Sequence, residues 1–382
     1  MIASVRIRGF RSAHDVHLDP GPLSALIGQP GSGKSNLLVA IWKLLSADAP
    51  PLEPGDATVG SNGLVRVEAT LARGSVLTLR SQNGSQRRTG KNAPRALFLP
   101  AALRGGPLLA GGATEAAVTS ALGRHPSPAL ALIDTIASWL EQKVTGLVLM
   151  IEEPELFLRP HAQRSLYRLL REFAARGNQV LYSTHAATFL NVSRLEEIAL
   201  LWRDREGATH LRRPQPLPEN DSFRALNEFD AERSELLLGR AAILVEGMTE
   251  KLVFPFLFRA LGYDADEEAI SIVECGGKPN IPVIAQVCNL TEIPYLVVHD
   301  RDAPPGKRPI ASERFVNAAI ARVAGRARTI QLAPDFEAVA RLHGHRHKPR
   351  RAVNWIAVPE GASVPQQLAD VVHRSVALAR NL

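Results

Sequence analysis

Cysteine is almost absent: Cys275 and Cys288 are the only two in 382 residues. Neither a disulfide framework nor a four-cysteine zinc site can be built from them, and such thin usage fits a reducing cytosol. Long apolar runs are missing too, and nothing approaches the roughly 18 to 20 residues that span a bilayer. Met1 to Pro20 alternates Ile and Val with Arg and His in place of the unbroken apolar segment of a secretory signal. The chain therefore reads as soluble and cytoplasmic, with no membrane partner. What is present is the composition of a globular protein, 45% hydrophobic and 22% charged. That is enough for a large core split between two or three domains, and it excludes disorder and collagen-like repeats.

Charge of one sign is only slightly in excess, with 45 Lys and Arg against 38 Asp and Glu, or +7. The balance favours a polyanion without requiring one. The excess is shared between the halves, since 18 basic and 15 acidic residues lie from Leu236 onward. Arg341 to Arg351 contains no acid and reads equally as a solvated loop or as an arm contacting phosphates.

Periodicity predicts a strand over Ile2 to Ile7, a short apolar strand Leu23 to Ile27, a glycine-rich turn and a helix Asn36 to Leu45. Leu64 to Leu71 and Ser75 to Arg80 alternate on either side of Ala72-Arg73-Gly74, which predicts an antiparallel hairpin. Arg104 to Pro128 is rich in Pro, Gly and Ala and yields no assignment. Beyond it a helix Ala129 to Gln142, a buried strand Leu147 to Ile151, a helix Pro160 to Arg176 and a strand Gln179 to Ser183 continue an alternating α/β pattern. Gly207, Pro214, Pro216 and Pro218 punctuate a polar connector from Arg205 to Asp221. A second βαβ series follows: a helix near Ala231 to Leu238, strand Ala241 to Val245, helix Thr249 to Leu261, strand Ala269 to Val273, helix Ile281 to Cys288 and strand Tyr295 to Val298. The expected division is residues 1–221 and 222–382, the second ending in a basic, helical extension.

Between the second predicted strand and the first helix stands Gly28-Gln29-Pro30-Gly31-Ser32-Gly33-Lys34-Ser35, which fits G-x-x-x-x-G-K-[ST]. In that loop glycines let backbone N–H groups approach an anion at a helix N-terminus. Lys34 reaches the β and γ phosphates of a nucleotide, and Ser35 binds magnesium. A glycine-rich turn that binds nothing is the plainer alternative, and the strand-loop-helix placement argues against it. A nucleotide hydrolase also needs carboxylate at a neighbouring strand end, and Leu147 to Ile151 delivers Glu152 and Glu153 there, with Glu155 after Pro154. The strand Gln179 to Ser183 ends in Thr184 and His185. A lone histidine is usually a surface residue, but this order of loop, acidic strand end and imidazole points to a γ-phosphate contact.

These residues resemble the ABC-type ATPase head of SMC and RecF-like proteins: Ile7 to Ser12, the phosphate loop, Ile151 to Glu155, and Ser183-Thr184-His185. The resemblance implies magnesium at Glu152, water activation by Glu153 and γ-phosphate sensing by His185. No L-S-G-G-Q signature precedes Ala129, where Leu122 to Ser127 stands instead, and there is no clear Gln loop. The interval from Lys34 to Glu152 leaves no room for a long coiled-coil arm. Since such heads complete their sites across a dimer, the resemblance implies ATP binding more firmly than turnover.

In the second half Glu246 stands at a strand end and Glu250 one turn into the next helix, while Asp300 and Asp302 follow the strand Tyr295 to Val298. Acids at the carboxyl ends of parallel strands converge on one edge, where their oxygens can hold hard divalent ions. Paired ions roughly 4 Å apart stabilise the attacking and leaving oxygens in phosphodiester cleavage. Surface acids near loops are the ordinary alternative for each motif alone. Their joint order, with Gly276-Gly277-Lys278 between them, resembles the TOPRIM fold. TOPRIM behind an ABC-type head is the arrangement of the OLD (overcoming lysogenization defect) nucleases, a resemblance that covers roughly Met1 to Val353. It implies metal-binding carboxylates at Glu246, Glu250, Asp300 and Asp302, with a later acid and lysine matching Glu337 and Lys348. The chain is short for that family, which suggests that a helical dimerisation insertion is reduced or absent.

Tyr167, Tyr182, Tyr263 and Tyr295 all fall within predicted core helices or strands, so the tyrosine nucleophile of a topoisomerase is not expected. A primase would need a zinc module that two cysteines cannot supply alone. His343, His345 and His347 share a face if extended and read either as a transition-metal site or as part of a basic lid in which Lys348 stabilises charge on the scissile phosphate. The expected fold class is thus α/β: an ABC-type P-loop ATPase head with an antiparallel β subdomain, followed by a TOPRIM domain with a parallel sheet. The expected function is an ATP-binding, divalent-metal-dependent DNA endonuclease using Mg2+ or Mn2+, with the head regulating DNA engagement. The resemblance adds phage defence, a homodimer or higher homo-oligomer, and an accessory protein as partner. Two alternatives stand beside it, a RecF/SMC-like DNA clamp with an inactive TOPRIM site and a nucleotide-sensing toxin component acting on RNA.

Overall fold

The computed structural model describes residues 1–82, 85–101, 128–218, 231–303, 306–340 and 363–380. The chain forms two compact units, Met1–Asn191 with Leu195–Pro214, and Val192–Arg194 with Gln215–Leu382.

The first unit runs β1 (Ile2–Phe10), β2 (Ala13–Leu18), β3 (Leu23–Ile27), α1 (Lys34–Leu45), β4 (Val65–Leu71), β5 (Val76–Gln82), β6 (Ser85–Thr89), β7 (Arg95–Leu99), α2 (Pro128–Glu141), β8 (Leu147–Glu152), α3 (Pro160–Ala175), β9 (Gln179–Ser183), β10 (Ile198–Arg203) and β11 (Thr209–Arg212). Two sheets result. One is antiparallel throughout, in the order β2-β1-β4-β5-β6. The other has the order β11-β10-β3-β9-β8-β7 and is parallel except for the β10–β11 hairpin. Strict alternation on β1 and β4 turns Val5, Ile7, Val65 and Val67 inward, where they join Leu37, Leu38, Ile41 and Leu44 of α1 and Leu26, Val148 and Leu181 of the parallel strands in one core. Buried Gln179 joins the sheets without leaving a polar atom stranded. Its amide donates to the carbonyls of Ile2, Pro20 and Gly21 at 3.0, 3.2 and 3.1 Å, and its oxygen accepts from the Ile2 N–H at 2.8 Å.

The predicted hairpin, the helices α1, α2 and α3, and the strands β8 and β9 form where periodicity put them. Five strands of this unit went unassigned from the sequence, among them β10, although its run Ile198 to Leu201 is apolar and buried. On β6 every residue of Ser-Gln-Arg-Arg-Thr is exposed, so there is no apolar alternation to read. On β2 polar residues are as many as apolar ones and break the alternation, and β7 is squeezed between Pro94 and Pro100. β11 lies inside the stretch read as a connector, because only its pairing with β10 makes Thr209–Arg212 a strand. Leu122 to Ser127, where a signature was sought, lies outside the described residues.

The second unit runs α4 (Ala231–Ser234), β12 (Ala241–Val245), α5 (Met248–Ala260), β13 (Ile270–Glu274), α6 (Ile281–Thr291), β14 (Tyr295–Asp300), α7 (Ala311–Ala324), β15 (Thr329–Leu332), α8 (Phe336–Val339) and α9 (Gln366–Arg380). Its sheet, in the order β13-β12-β14-β15, is wholly parallel. Val253, Phe254 and Leu257 of α5 share a core with Leu368, Val371 and Val372 of α9 and with Ile243 and Val298 of the sheet. The fold is thus the expected α/β one, with an antiparallel sheet beside a mainly parallel one in the first unit and a wholly parallel sheet in the second. Tyr263 departs from expectation: it lies past the end of α5 in a turn, its ring edge-on to His373 at 5.9 Å. Both cysteines are buried and free. Among the described residues no helix is long and apolar enough to cross a membrane.

Candidate functional site

Two sites emerge, one in each unit. In the first, three successive neighbours of the parallel sheet, β3, β9 and β8, present their carboxyl ends side by side. β3 leads into the phosphate loop, β8 ends at Glu152, and β9 leads into Thr184 and His185. The loop must be glycine where it is. A Cβ on Gly28 (φ +149°) would lie 2.1 Å from the Leu201 carbonyl oxygen, and one on Gly33 (φ +103°) 2.2 Å from Thr209 Oγ1. Gly31 (φ +78°) instead meets nothing within 4 Å, so the loop is crowded toward the protein and open where an anion would sit. Thr209 Oγ1 braces the loop by donating to Ser32 O at 2.9 Å while it accepts from the Ser12 hydroxyl at 2.8 Å.

Gly33 caps α1 without a side-chain hydrogen bond, leaving first-turn N–H groups for an anion. Lys34 is 6% exposed, and its ammonium donates to the Gly28 and Gln29 carbonyls at 2.8 and 3.0 Å. Burial pulls its pKa down to about 8, against the opposing charges of Glu153 and Glu155. A phosphate arriving there would restore the favoured charged form. Ser35 beside it is exposed.

Glu152 accepts a hydrogen bond from the Ala101 N–H at 3.0 Å. Glu153 follows with φ +45°, an uncommon conformation for a non-glycine residue, its N–H bonded to Ser183 O at 2.9 Å. Partial burial and then the Lys34 charge lower the His185 pKa, while Glu153 raises it. One residue that carried no role in the sequence reading proves central. Glu155 is buried and accepts from Thr184 Oγ1 and the His185 N–H, both at 2.8 Å, and burial raises its pKa. It fixes the backbone that presents His185. Its only sequence signal was its place in Ile-Glu-Glu-Pro-Glu.

In the second unit β12 and β14 are adjacent, Val245 level with Val298, so Glu246 and Asp300 emerge together. The Asp300 N–H donates to Glu246 Oε1 at 2.6 Å, and Asp300 Oδ1 accepts from the Phe336 N–H at 2.7 Å. That second bond draws the start of α8, which carries Glu337, to the same edge. Burial raises the Glu246 pKa. Burial, then Glu246 and Glu337, push Glu250 up to about 7, and burial, then Glu246, Glu250 and Glu337, push Asp300 up to about 8.

Asp302 is held apart. Lys278, 7% exposed, donates to its carboxylate, to Asp300 O at 2.6 Å and to Glu313 Oε2 at 3.2 Å. Neither Lys278 nor Glu313 was among the predicted site residues, although Gly276-Gly277-Lys278 was noted as a motif. His299 was missed altogether. It is buried on β14 with Nδ1 2.9 Å from Asp300 O and Nε2 unpartnered, and burial lowers its pKa to about 4.

Carboxylate oxygens under mutual repulsion are the donor chemistry that suits a hard divalent cation. Among the described residues, however, no group of three or more His, Cys, Asp or Glu is arranged to hold one. Lys348, His343, His345, His347 and the basic stretch Arg341 to Arg351 lie outside the described residues.

Comparison with known proteins places names beside these sites. Residues 237–302 match the family described as overcoming lysogenization defect protein-like, TOPRIM domain. Residues 129–191 match an AAA domain described as putative AbiEii toxin, type IV TA system. The chain is 32% identical over 243 residues to an OLD nuclease of Thermus scotoductus, a match covering 58% of this chain and 46% of that protein. It is 29% identical over 168 residues to the Old nuclease of Escherichia phage P2, covering 42% of this chain and 29% of that one. The chain thus spans about half the length, or less, of these curated relatives. Among solved structures, the SMC head domain of Thermotoga maritima aligns with a TM-score of 0.39 at 12% identity, over 56% of this chain and 99% of that one. An SMC head bound to the C-terminal winged-helix domain of ScpA aligns with a TM-score of 0.42 at 15% identity, over 58% and 99%.

Proposed function

We propose, from the premise that this chain pairs an ATPase domain with a TOPRIM domain of the OLD kind, that it is an ATP-binding, divalent-metal-dependent DNA endonuclease. Residues 1–221 are the ATPase domain in this reading and 222–382 the nuclease domain. The observation that carries it is that Glu246 and Asp300 emerge side by side from adjacent parallel strands, the Asp300 N–H on Glu246 Oε1 at 2.6 Å and the Phe336 N–H, next to Glu337, on Asp300 Oδ1 at 2.7 Å. Glu246, Glu250, Asp300 and Glu337, joined by Asp302, would hold Mg2+ or Mn2+. Such ions, when bound, stabilise charge on the attacking and leaving oxygens of a phosphodiester. The chain's own residues set the stage. Glu246 is oriented by the Asp300 N–H, Asp300 by the Phe336 N–H, and Lys278 restrains Asp302 beside the site.

In the ATPase domain, Lys34 and the start of α1 bind phosphates, and Ser35 and Glu152 would hold the accompanying Mg2+. Glu153 takes a proton from the attacking water, and Glu155 steadies the segment bearing His185 against the γ-phosphate. The heads act as a homodimer or higher homo-oligomer that regulates DNA engagement, with defence against foreign DNA as the use the OLD resemblance suggests.

The test is incubation of supercoiled plasmid with purified protein and Mg2+ or Mn2+, with and without ATP, alongside Glu246→Ala. Metal-dependent nicking that the variant lacks is expected. Equal cutting by the variant would move the active site elsewhere. The ion pair that engages Asp302 favours a second reading, a DNA clamp with an inactive TOPRIM site, and DNA binding without cutting under any metal would select it.

A further inference from the structure

The cross-strand register of the first unit's antiparallel sheet places arginines in a row. Arg8 on β1 lies opposite Arg66 on β4, Arg66 opposite Arg80 on β5, and Arg80 opposite Arg87 on β6. With adjacent strands ~4.8 Å apart, the row crosses about 14 Å of sheet. The chain neighbours Ile7, Val65, Val67, Leu79 and Ser81 are buried. By alternation the four arginines therefore share the face turned away from the core.

Two carboxylates stand among them. Asp15 pairs with Arg6 at 2.6 Å, and Glu68 is shared between Arg8, at 3.3 Å, and Arg66. Arg80 and Arg87 are exposed, and among the described residues no carboxylate pairs with either. Further along the row the Nε atoms of Arg8 and Arg66 are buried with no hydrogen-bond partner. Like charges directly opposite one another destabilise a sheet, and guanidinium donors without acceptors add to the cost. The repulsion between charges is relieved by a ligand that brings several anionic oxygens in single file.

We propose that this outer face of the antiparallel sheet is a docking surface for the phosphodiester backbone of duplex DNA, with Arg66, Arg80 and Arg87 contacting phosphates. The linear order of the row matches a linear polyanion, and guanidinium forks suit phosphate oxygens. Contacts of this kind position a duplex without reading its sequence. The inference rests on DNA being this protein's partner, and it adds where on the ATPase domain the duplex lies.

The experiment is fluorescence anisotropy of a fluorescein-labelled DNA duplex, with chelator present to prevent cutting, titrated with full-length protein at several salt concentrations. Arg80→Ala/Arg87→Ala removes two exposed side chains, and Arg80→Lys/Arg87→Lys keeps their charge. With about 0.9 counterion released per phosphate contact, the alanine variant should flatten the dependence of log affinity on log salt by ~1.8 and weaken binding tenfold or more at about 0.1 M salt. The lysine variant should keep most of the slope. Wild-type affinity and slope in the alanine variant would overturn the docking surface while leaving the nuclease reading intact. Failure of the wild-type protein to bind any duplex would remove the DNA reading itself. Vesicles of phosphatidylserine and phosphatidylcholine form the last arm: binding to them that the alanine variant loses, with DNA affinity unchanged, would assign the row to a membrane and refute the proposal.

Discussion

Replacing Asp300 with asparagine should make the metal-free protein more stable, and only at neutral to alkaline pH. Asp300 accepts from the Phe336 N–H at 2.7 Å, a bond the Asn carbonyl can keep, so the substitution removes charge with little change of shape. Burial and the neighbouring Glu246, Glu250 and Glu337 push the carboxyl from its usual 3.8 up to about 8. The sign is the reverse of an ordinary surface aspartate. Between about pH 4 and pH 8 the folded chain keeps a proton that the unfolded chain has released, so stability falls as pH rises through that window. The displacement caps the penalty at about 6 kcal/mol. Because Asp300 is burdened by neighbouring Glu246 and Glu250 as well as by burial, one substitution should recover about 2–4 kcal/mol at pH 8. At ~2–4 °C per kcal/mol for a domain of this size, that is a rise in Tm of roughly 4–16 °C. Circular dichroism melts in chelator at pH 5, 6, 7 and 8 provide the assay, and the gain should shrink toward pH 5. An Asn variant no more stable than wild type at pH 8, or stabilised equally at pH 5, would refute the crowding of charge at this site.

Lys34→Ala should weaken ATP binding by about 10- to 100-fold, the worth of a charge-assisted contact, in isothermal titration calorimetry; unchanged affinity would sink the phosphate-loop assignment. Lys278→Met should destabilise the second unit, since it strands the Asp302 and Glu313 carboxylates. Both are partly exposed, which holds the loss to about 1–3 kcal/mol in urea unfolding. A variant as stable as wild type would show that the Lys278 ion pairs contribute nothing to holding that edge together.

Much of the proposed nucleotide site was legible because its chemistry is local. A phosphate loop needs glycines where the backbone crowds Leu201 and Thr209, a lysine next to them and a helix directly after, all in consecutive residues. Strand-end acids were legible for a related reason, since an apolar run that stops at Glu152 or Glu246, or one residue before Asp300, announces where a parallel strand leaves the core. Period and punctuation thus determined, from sequence alone, most of the α/β elements and the two groups of polar residues at their ends.

Tertiary structure decided which of those residues meet, because pairing and burial are not properties of consecutive residues. Only the sheet order brings β12 beside β14, so that Glu246 receives the Asp300 N–H. Only packing buries Glu155 beneath His185 and steers Lys278 onto Asp302, and neither carries a periodic signal. The arginine row is the clearest case. Arg8, Arg66, Arg80 and Arg87 are scattered through the sequence, and β6 lacks the alternation that would mark it as a strand. The register of four hydrogen-bonded strands alone sets their charges side by side, since neighbours across a sheet are fixed by hydrogen bonding between strands and not by distance along the chain.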